Sequence, residues 1–163
     1  MTAENQMRAH GVKPANTWNP DSATDSILLD HDHRHRRRIA LTTERGRPLL
    51  LDLPHAAHLR DGDGLLTDTG ETIRVRAAPE PLLEIHAHDP ATLVRIAWHL
   101  GNRHLPVQVA GAALRIRADY VIADLVRKLG AHAHAIEAPF DPEAGAYAGG
   151  SHHHHPDDDD HHH

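Results

Sequence analysis

The sequence predicts an α+β protein: a small all-β domain, a ferredoxin-like βαββαβ domain, and a disordered tail rich in His and Asp. Three observations predict it. Short apolar runs separated by glycine-bearing turns fill residues 25–79, two amphipathic helical stretches set among alternating strands fill 80–140, and from 141 to 163 the apolar periodicity stops.

Residues 1–24 mix polar side chains with Pro14, Trp18 and Pro20, without the apolar core and small-residue cleavage site of a secretory signal, and are expected to form a flexible extension. The all-β expectation for 25–79 rests on Ile27-Leu28-Leu29, Ile39-Ala40-Leu41, Leu49-Leu50-Leu51, Leu65-Leu66 and Ile73-Arg74-Val75. Between them stand Arg45-Gly46, Asp61-Gly62-Asp63-Gly64 and Thr69-Gly70, which suit tight turns.

After Pro79-Glu80-Pro81 the rhythm changes. Leu83 and Ile85 alternate as a strand, and Asp89-Pro90 supplies an N-cap and a first-turn proline. Leu93, Ile96, Ala97 and Leu100 follow the i, i+3, i+4, i+7 spacing of one helix face, with Gly101 as the expected stop. A hairpin is expected from Val107 and Val109 through Gly111 to Leu114 and Ile116. Asp119 then caps a second helix carrying Val121, Ile122, Leu125, Val126 and Leu129 and closed by Gly130, and a last strand falls near Ala131 to Glu137. Strand, helix, strand, strand, helix, strand is the ferredoxin-like order.

Composition narrows the chemistry. With no cysteine among 163 residues, disulfides, thiolate metal sites and cysteine nucleophiles are excluded. No apolar run approaches the ~20 residues of a membrane-spanning helix, so no membrane association is expected. The formal charge of -6 argues against a nucleic-acid partner. The chain has no His-Glu-x-x-His pattern, nucleophile motif or glycine-rich phosphate loop, so it is not expected to be an enzyme. Nineteen histidines are the outlying feature.

Seven of them, His152, His153, His154, His155, His161, His162 and His163, lie in the tail with Asp157–Asp160 between. Pro156 and the aspartates interrupt the run, which favours a native metal-binding tail over a purification tag. Neutral imidazole suits nickel, copper and zinc, and the carboxylates complete a coordination shell or bind the second ring nitrogen. Such a tail discriminates poorly among metals, because nitrogen donors follow the Irving–Williams order. His99 and His104, around the end of the first expected helix, form a more ordered candidate, but a spacing of five is not the i, i+4 of a helical metal pair. From the residues alone, each reads as a cap, a core histidine or a ligand.

The run Leu100-Gly101-Asn102-Arg103-His104-Leu105-Pro106 resembles the signature of the UreE family of urease accessory proteins. The resemblance extends to Leu29-Asp30-His31-Asp32-His33-Arg34-His35-Arg36-Arg37-Arg38, to Leu59-Arg60-Asp61-Gly62-Asp63-Gly64-Leu65, to Arg76-Ala77-Ala78-Pro79-Glu80-Pro81-Leu82 and to Ala138-Pro139-Phe140-Asp141-Pro142-Glu143. It covers residues 27–147.

This resemblance implies a cytoplasmic, homodimeric nickel metallochaperone with a peptide-binding-like β domain and a ferredoxin-like metal-binding domain. It further implies Ni(II) as cargo, delivered to apo-urease with the accessory complex and a UreG-type GTPase, and Zn(II) or Cu(II) as competing ions. His104 corresponds to the family's nickel ligand at the dimer interface, and His99 to a secondary ligand of some members. A two-fold dimer supplies His104 twice. The roughly 15 residues from Ala148 onward have a reach on the order of 20 Å, enough for tail histidines to complete the shell. Where some relatives carry a His-x-Asp-His-like arrangement, this chain has Arg117-Ala118-Asp119-Tyr120, so no ligands are expected there.

The remaining histidines read differently. His132 and His134 share one face of the last strand, as a solvated edge or an accessory metal pair. His31, His33 and His35 are expected on a strand's solvated face, and the run Arg34-His35-Arg36-Arg37-Arg38 on a strand surface used for structure or for an acidic partner. A general divalent-metal buffer or storage protein is the alternative function.

Overall fold

In the computed structural model, which describes residues 6–144, two sheets follow one another along the chain. The first contains β1 (Met7–Lys13), β2 (Asp25–Leu29), β3 (Arg38–Thr42), β4 (Pro48–Asp52), β5 (Gly64–Thr67) and β6 (Thr72–Ala77), in spatial order β2-β6-β5-β1-β4-β3. Strands β1 and β4 run parallel, as do β2 and β6, and the other pairs are antiparallel. The alternation anticipated from the apolar runs places Ile27, Leu29, Leu49, Leu51, Leu65, Ile73 and Val75 in one core.

The start of the chain departs from expectation. Met7–Lys13, assigned above to a flexible extension over residues 1–24, is an interior strand flanked by β5 and β4. Met7 and Ala9 point into the core while Arg8 and His10 are exposed. The segment that follows is also tied down. Trp18 donates its indole N–H to the Gly62 carbonyl at 3.2 Å, and the buried Asp63 carboxylate accepts from the Ala15 and Arg60 amides at 2.9 Å each.

Ala78 alone separates β6 from the second sheet. There β7 (Pro79–His86), β8 (Gln108–Ala110), β9 (Ala113–Arg117) and β10 (His132–Pro139) lie in the order β10-β7-β9-β8, all antiparallel, with helices α1 (Pro90–Asn102) and α2 (Tyr120–Lys128) in the crossovers. Both predicted caps form. Asp89 accepts from the Thr92 amide at 2.8 Å, and Asp119 accepts from Val121 at 2.9 Å and Ile122 at 3.2 Å. Ile96 and Leu100 of α1 and Ile122, Ala123 and Val126 of α2 pack on Leu83, Ile85, Leu114 and Ile116. Gly101 does not end α1, which continues to Asn102.

The basic run is not a strand surface. His33–His35 form a 3-10 turn, and β3 begins only at Arg38. Arg34 is 1% exposed and donates from Nη2 to the Phe140 carbonyl, 106 residues away in sequence. Phe140 is itself buried, with the Arg117 guanidinium 5.5 Å from its ring centroid, and Arg117 pairs with Asp32 at 2.8 Å. These contacts seat the end of the second sheet against the first.

Candidate metal centre

The end of α1 is built by the same closure as the end of α2, with one substitution. In α2 the Ala131 amide bonds the Val126 carbonyl at 3.1 Å, and the Gly130 amide bonds Arg127 at 3.0 Å. In α1 the Leu105 amide bonds Leu100 at 3.3 Å, and the His104 amide bonds Gly101 at 3.0 Å. This paired arrangement satisfies the last carbonyls of a helix and requires a left-handed residue just past its end, usually glycine. Gly130 fills that place with φ +87°, whereas His104 fills it with φ +57°. A side chain there costs roughly 1 kcal/mol or more, and such strain is typically kept where the side chain has a task.

The closure fixes where the His104 ring leaves the backbone, and the residue is exposed. Leu105, next along, turns back to pack on the core. His99 is half-buried on the last turns of α1, its ring 5.0 Å from Trp98. Among the described residues, neither His99 nor His104 belongs to a cluster of three potential ligands. Beside this helix end runs an apolar stripe uncovered among the described residues: Val94 is 67% and Trp98 62% exposed, one turn apart, and the space outside Gly101 is open.

Two further histidine groups emerge from tertiary structure. On the edge strand β10, His132 lies opposite His86 of β7 and its Nε2 is 3.0 Å from Nε2 of His88. His134 sits 5.9 Å, ring to ring, from His86, whose own Nε2 is 2.7 Å from Glu84. The expected edge therefore becomes a histidine-lined face shared with β7.

The second group departs from the reading of His31 and His35 as a solvated strand face: neither lies on a strand and His31 is half-buried, although His35 is exposed. Together with His58, from the loop between β4 and β5, they place one ligand atom each within 4.8 Å of one another. The rings of His31 and His35 are 4.3 Å apart and those of His35 and His58 stack at 4.0 Å. Burial, reinforced by His35, Arg117, Arg34 and His58, lowers the His31 pKa to about 4. Burial also lowers that of His58, with His35 and Arg60 adding to it and Asp141 opposing. The His31–His35 spacing of four was the legible signal for this group. His58, in a loop without periodicity, carried none. The tail histidines His152–His155 and His161–His163 lie outside the described residues.

Comparison with known proteins is consistent along the chain. The N-terminal domain of the UreE urease accessory protein matches residues 6–78, and its C-terminal domain matches 80–163. A urease accessory protein UreE of Rhodopseudomonas palustris (strain HaA2) is 60% identical over 142 residues, 87% of this chain and 66% of the relative. One from Bradyrhizobium sp. (strain ORS 278) is 58% identical over 87% of this chain and 67% of its own length. One from Beijerinckia indica is 52% identical over 88% of this chain and 82% of its own length. The chain thus spans about two thirds of the first two relatives.

Proposed function

The chain belongs to the UreE family of urease accessory proteins, and from that premise we propose that it carries Ni(II) to apo-urease during assembly of the urease active site. The observation that carries the proposal is His104 in a left-handed cap position that glycine would fill more cheaply, exposed at a helix end. A family of accessory proteins rather than enzymes fits a site that binds and releases an ion without chemistry on a substrate.

Our reading is that two copies meet so that His104 of each faces the ion. The exposed Val94 and Trp98 stripe leading to His104 supports this, since a symmetric contact presents the same patch and the same ligand twice. His99 and the tail residues His152–His155 and His161–His163 are proposed to supply further donors, with Zn(II) and Cu(II) competing for them. The second half, residues 80–140, acts as the ferredoxin-like metal-binding domain, and the protein works in the cytoplasm with a UreG-type GTPase and the apo-urease accessory complex.

The test compares urease activation by the full chain, by His104→Ala and by a chain ending at Ser151. Nickel delivery predicts loss of activation in His104→Ala and partial retention after tail removal. If tail removal abolishes all metal binding and His104→Ala changes nothing, the protein is instead a metal buffer whose active element is the tail.

A further inference from the structure

The convergence of His31, His35 and His58 is separate from the α1 terminus. The three residues belong to the first domain, and they meet where the second domain's last strand ends, with the His31 ring 5.4 Å from that of Phe140. Their hydrogen bonds show which nitrogens are free. His35 Nδ1 lies 2.7 Å from the His31 carbonyl. A carbonyl only accepts, so this nitrogen donates and leaves the Nε2 lone pair open. A backbone carbonyl on the second ring nitrogen is the usual way of orienting a metal-binding imidazole. His58 Nε2 is buried and has no hydrogen-bond partner among the described residues. A buried polar atom left without a partner calls for an explanation, and an absent ion is one.

We propose that His31, His35 and His58 form a second binding site for a divalent transition metal of the nickel, copper and zinc class, independent of His104. Three imidazoles with a fourth position open suit such an ion. The buried Arg34 guanidinium, with Nε unpartnered among the described residues, puts a positive charge beside the site that opposes a bound cation and so favours an anionic donor in the fourth position. Asp141 acts on His58 electrostatically but is not grouped with the three imidazoles.

Arg117 competes with the metal. Its Nη2 is 3.0 Å from His31 Nδ1 and 2.8 Å from the Asp32 carboxylate. While the guanidinium donates to Nδ1, the neutral ring keeps its proton on Nε2 and offers no lone pair to an ion. Binding therefore requires Arg117 to rest on Asp32 alone, which frees the His31 ring to rearrange its proton. The site is thus gated by a residue of the second domain, on β9. None of this depends on nickel delivery to urease.

The experiment is a Ni(II) titration of the full chain followed by backbone-amide NMR, in which a paramagnetic ion attenuates signals near it. Excess Ni(II) is expected to attenuate the amides of residues 31–35 and of 58 and 59, in the native chain and equally in His104→Ala. The same attenuation should be lost in His58→Ala and in His35→Ala, with the dispersed signals of Leu49 and Ile73 certifying that the first domain remains folded. The proposal is overturned if these amides stay unattenuated in the native chain, if their attenuation disappears in His104→Ala, or if it persists in either cluster variant. Activation of urease is read separately and decides the delivery reading alone.

Discussion

Exchanging His104 for glycine should make the metal-free protein more stable while removing the proposed transfer ligand. The His104 backbone sits at φ +57°, and a side chain in the left-handed region costs roughly 1–2 kcal/mol. Glycine removes that cost but loses more backbone entropy on folding, about 0.5–1 kcal/mol. Because His104 is exposed, little buried contact area is sacrificed. The net gain is about 0.5–1 kcal/mol. In urea unfolding of the protein kept metal-free with a chelator, the midpoint should rise by a few tenths of a molar at an unchanged slope of about 1–3 kcal/mol per molar. His104→Ala keeps the strained backbone and should leave the midpoint near that of the native protein. Gly130→Ala, at φ +87° with nothing within 4 Å of the added Cβ, should lower stability by about 1 kcal/mol for conformational reasons alone. A lower midpoint in His104→Gly would refute the reasoning, since the ring itself would then be holding the helix end.

Three other outcomes follow from the same structure. An alanine Cβ at position 64 would lie 2.8 Å from both Trp18 Cε2 and Thr72 Cγ2. Gly64→Ala should therefore cost about 1–3 kcal/mol, read as a thermal midpoint lowered by several degrees. The His31 pKa of about 4 lies below the 6.5 of the unfolded chain, so between those values the unfolded state binds more protons and stability rises with pH. That contribution is complete above pH 6.5 and is lost on acidification to pH 4, by up to about 3 kcal/mol. His31→Asn should flatten the metal-free stability curve across that window, and an unchanged curve would assign the slope elsewhere. Finally, Arg117→Ala removes the competitor at His31 Nδ1, so half-attenuation of the His31–His35 amides should occur at a lower Ni(II) concentration. A higher concentration would show that the guanidinium assists binding.

What could be read along the sequence was what local chemistry decides. Asp89 and Asp119 cap helices because their side chains need only a free amide two or three residues on. The β runs around Leu49–Leu51 and Ile73–Val75 alternate plainly enough to face a core. Strand β1 escaped because Met7 and Ala9 provide little apolar signal beside Arg8 and His10, and its burial comes from neighbours met through tertiary folding. The end of α1 was placed early because glycine normally occupies the left-handed position, and here Gly101 is helical while His104 takes that conformation. Arg34 read as part of a strand surface used for structure or for an acidic partner, yet it is buried and bonded to the Phe140 carbonyl. The three-imidazole group shows the same division: the spacing of His31 and His35 lies in the sequence, but the third ring arrives from a loop more than twenty residues away.

Residues Pro79 and Pro139, the first and last of the second sheet, face each other across β7 and β10. The first strand of this half therefore begins where its last strand ends, and the chain then runs back along the edge at β8, the Asp141 amide bonding Gln108 Oε1 at 3.1 Å and the Glu143 amide the Val107 carbonyl at 2.7 Å. Such a unit lends itself to transplantation or circular permutation, with new termini opened in the exposed turn at Gly111. Its attachment to the first half would then rest on side chains such as Arg34 and Arg117 more than on the covalent thread.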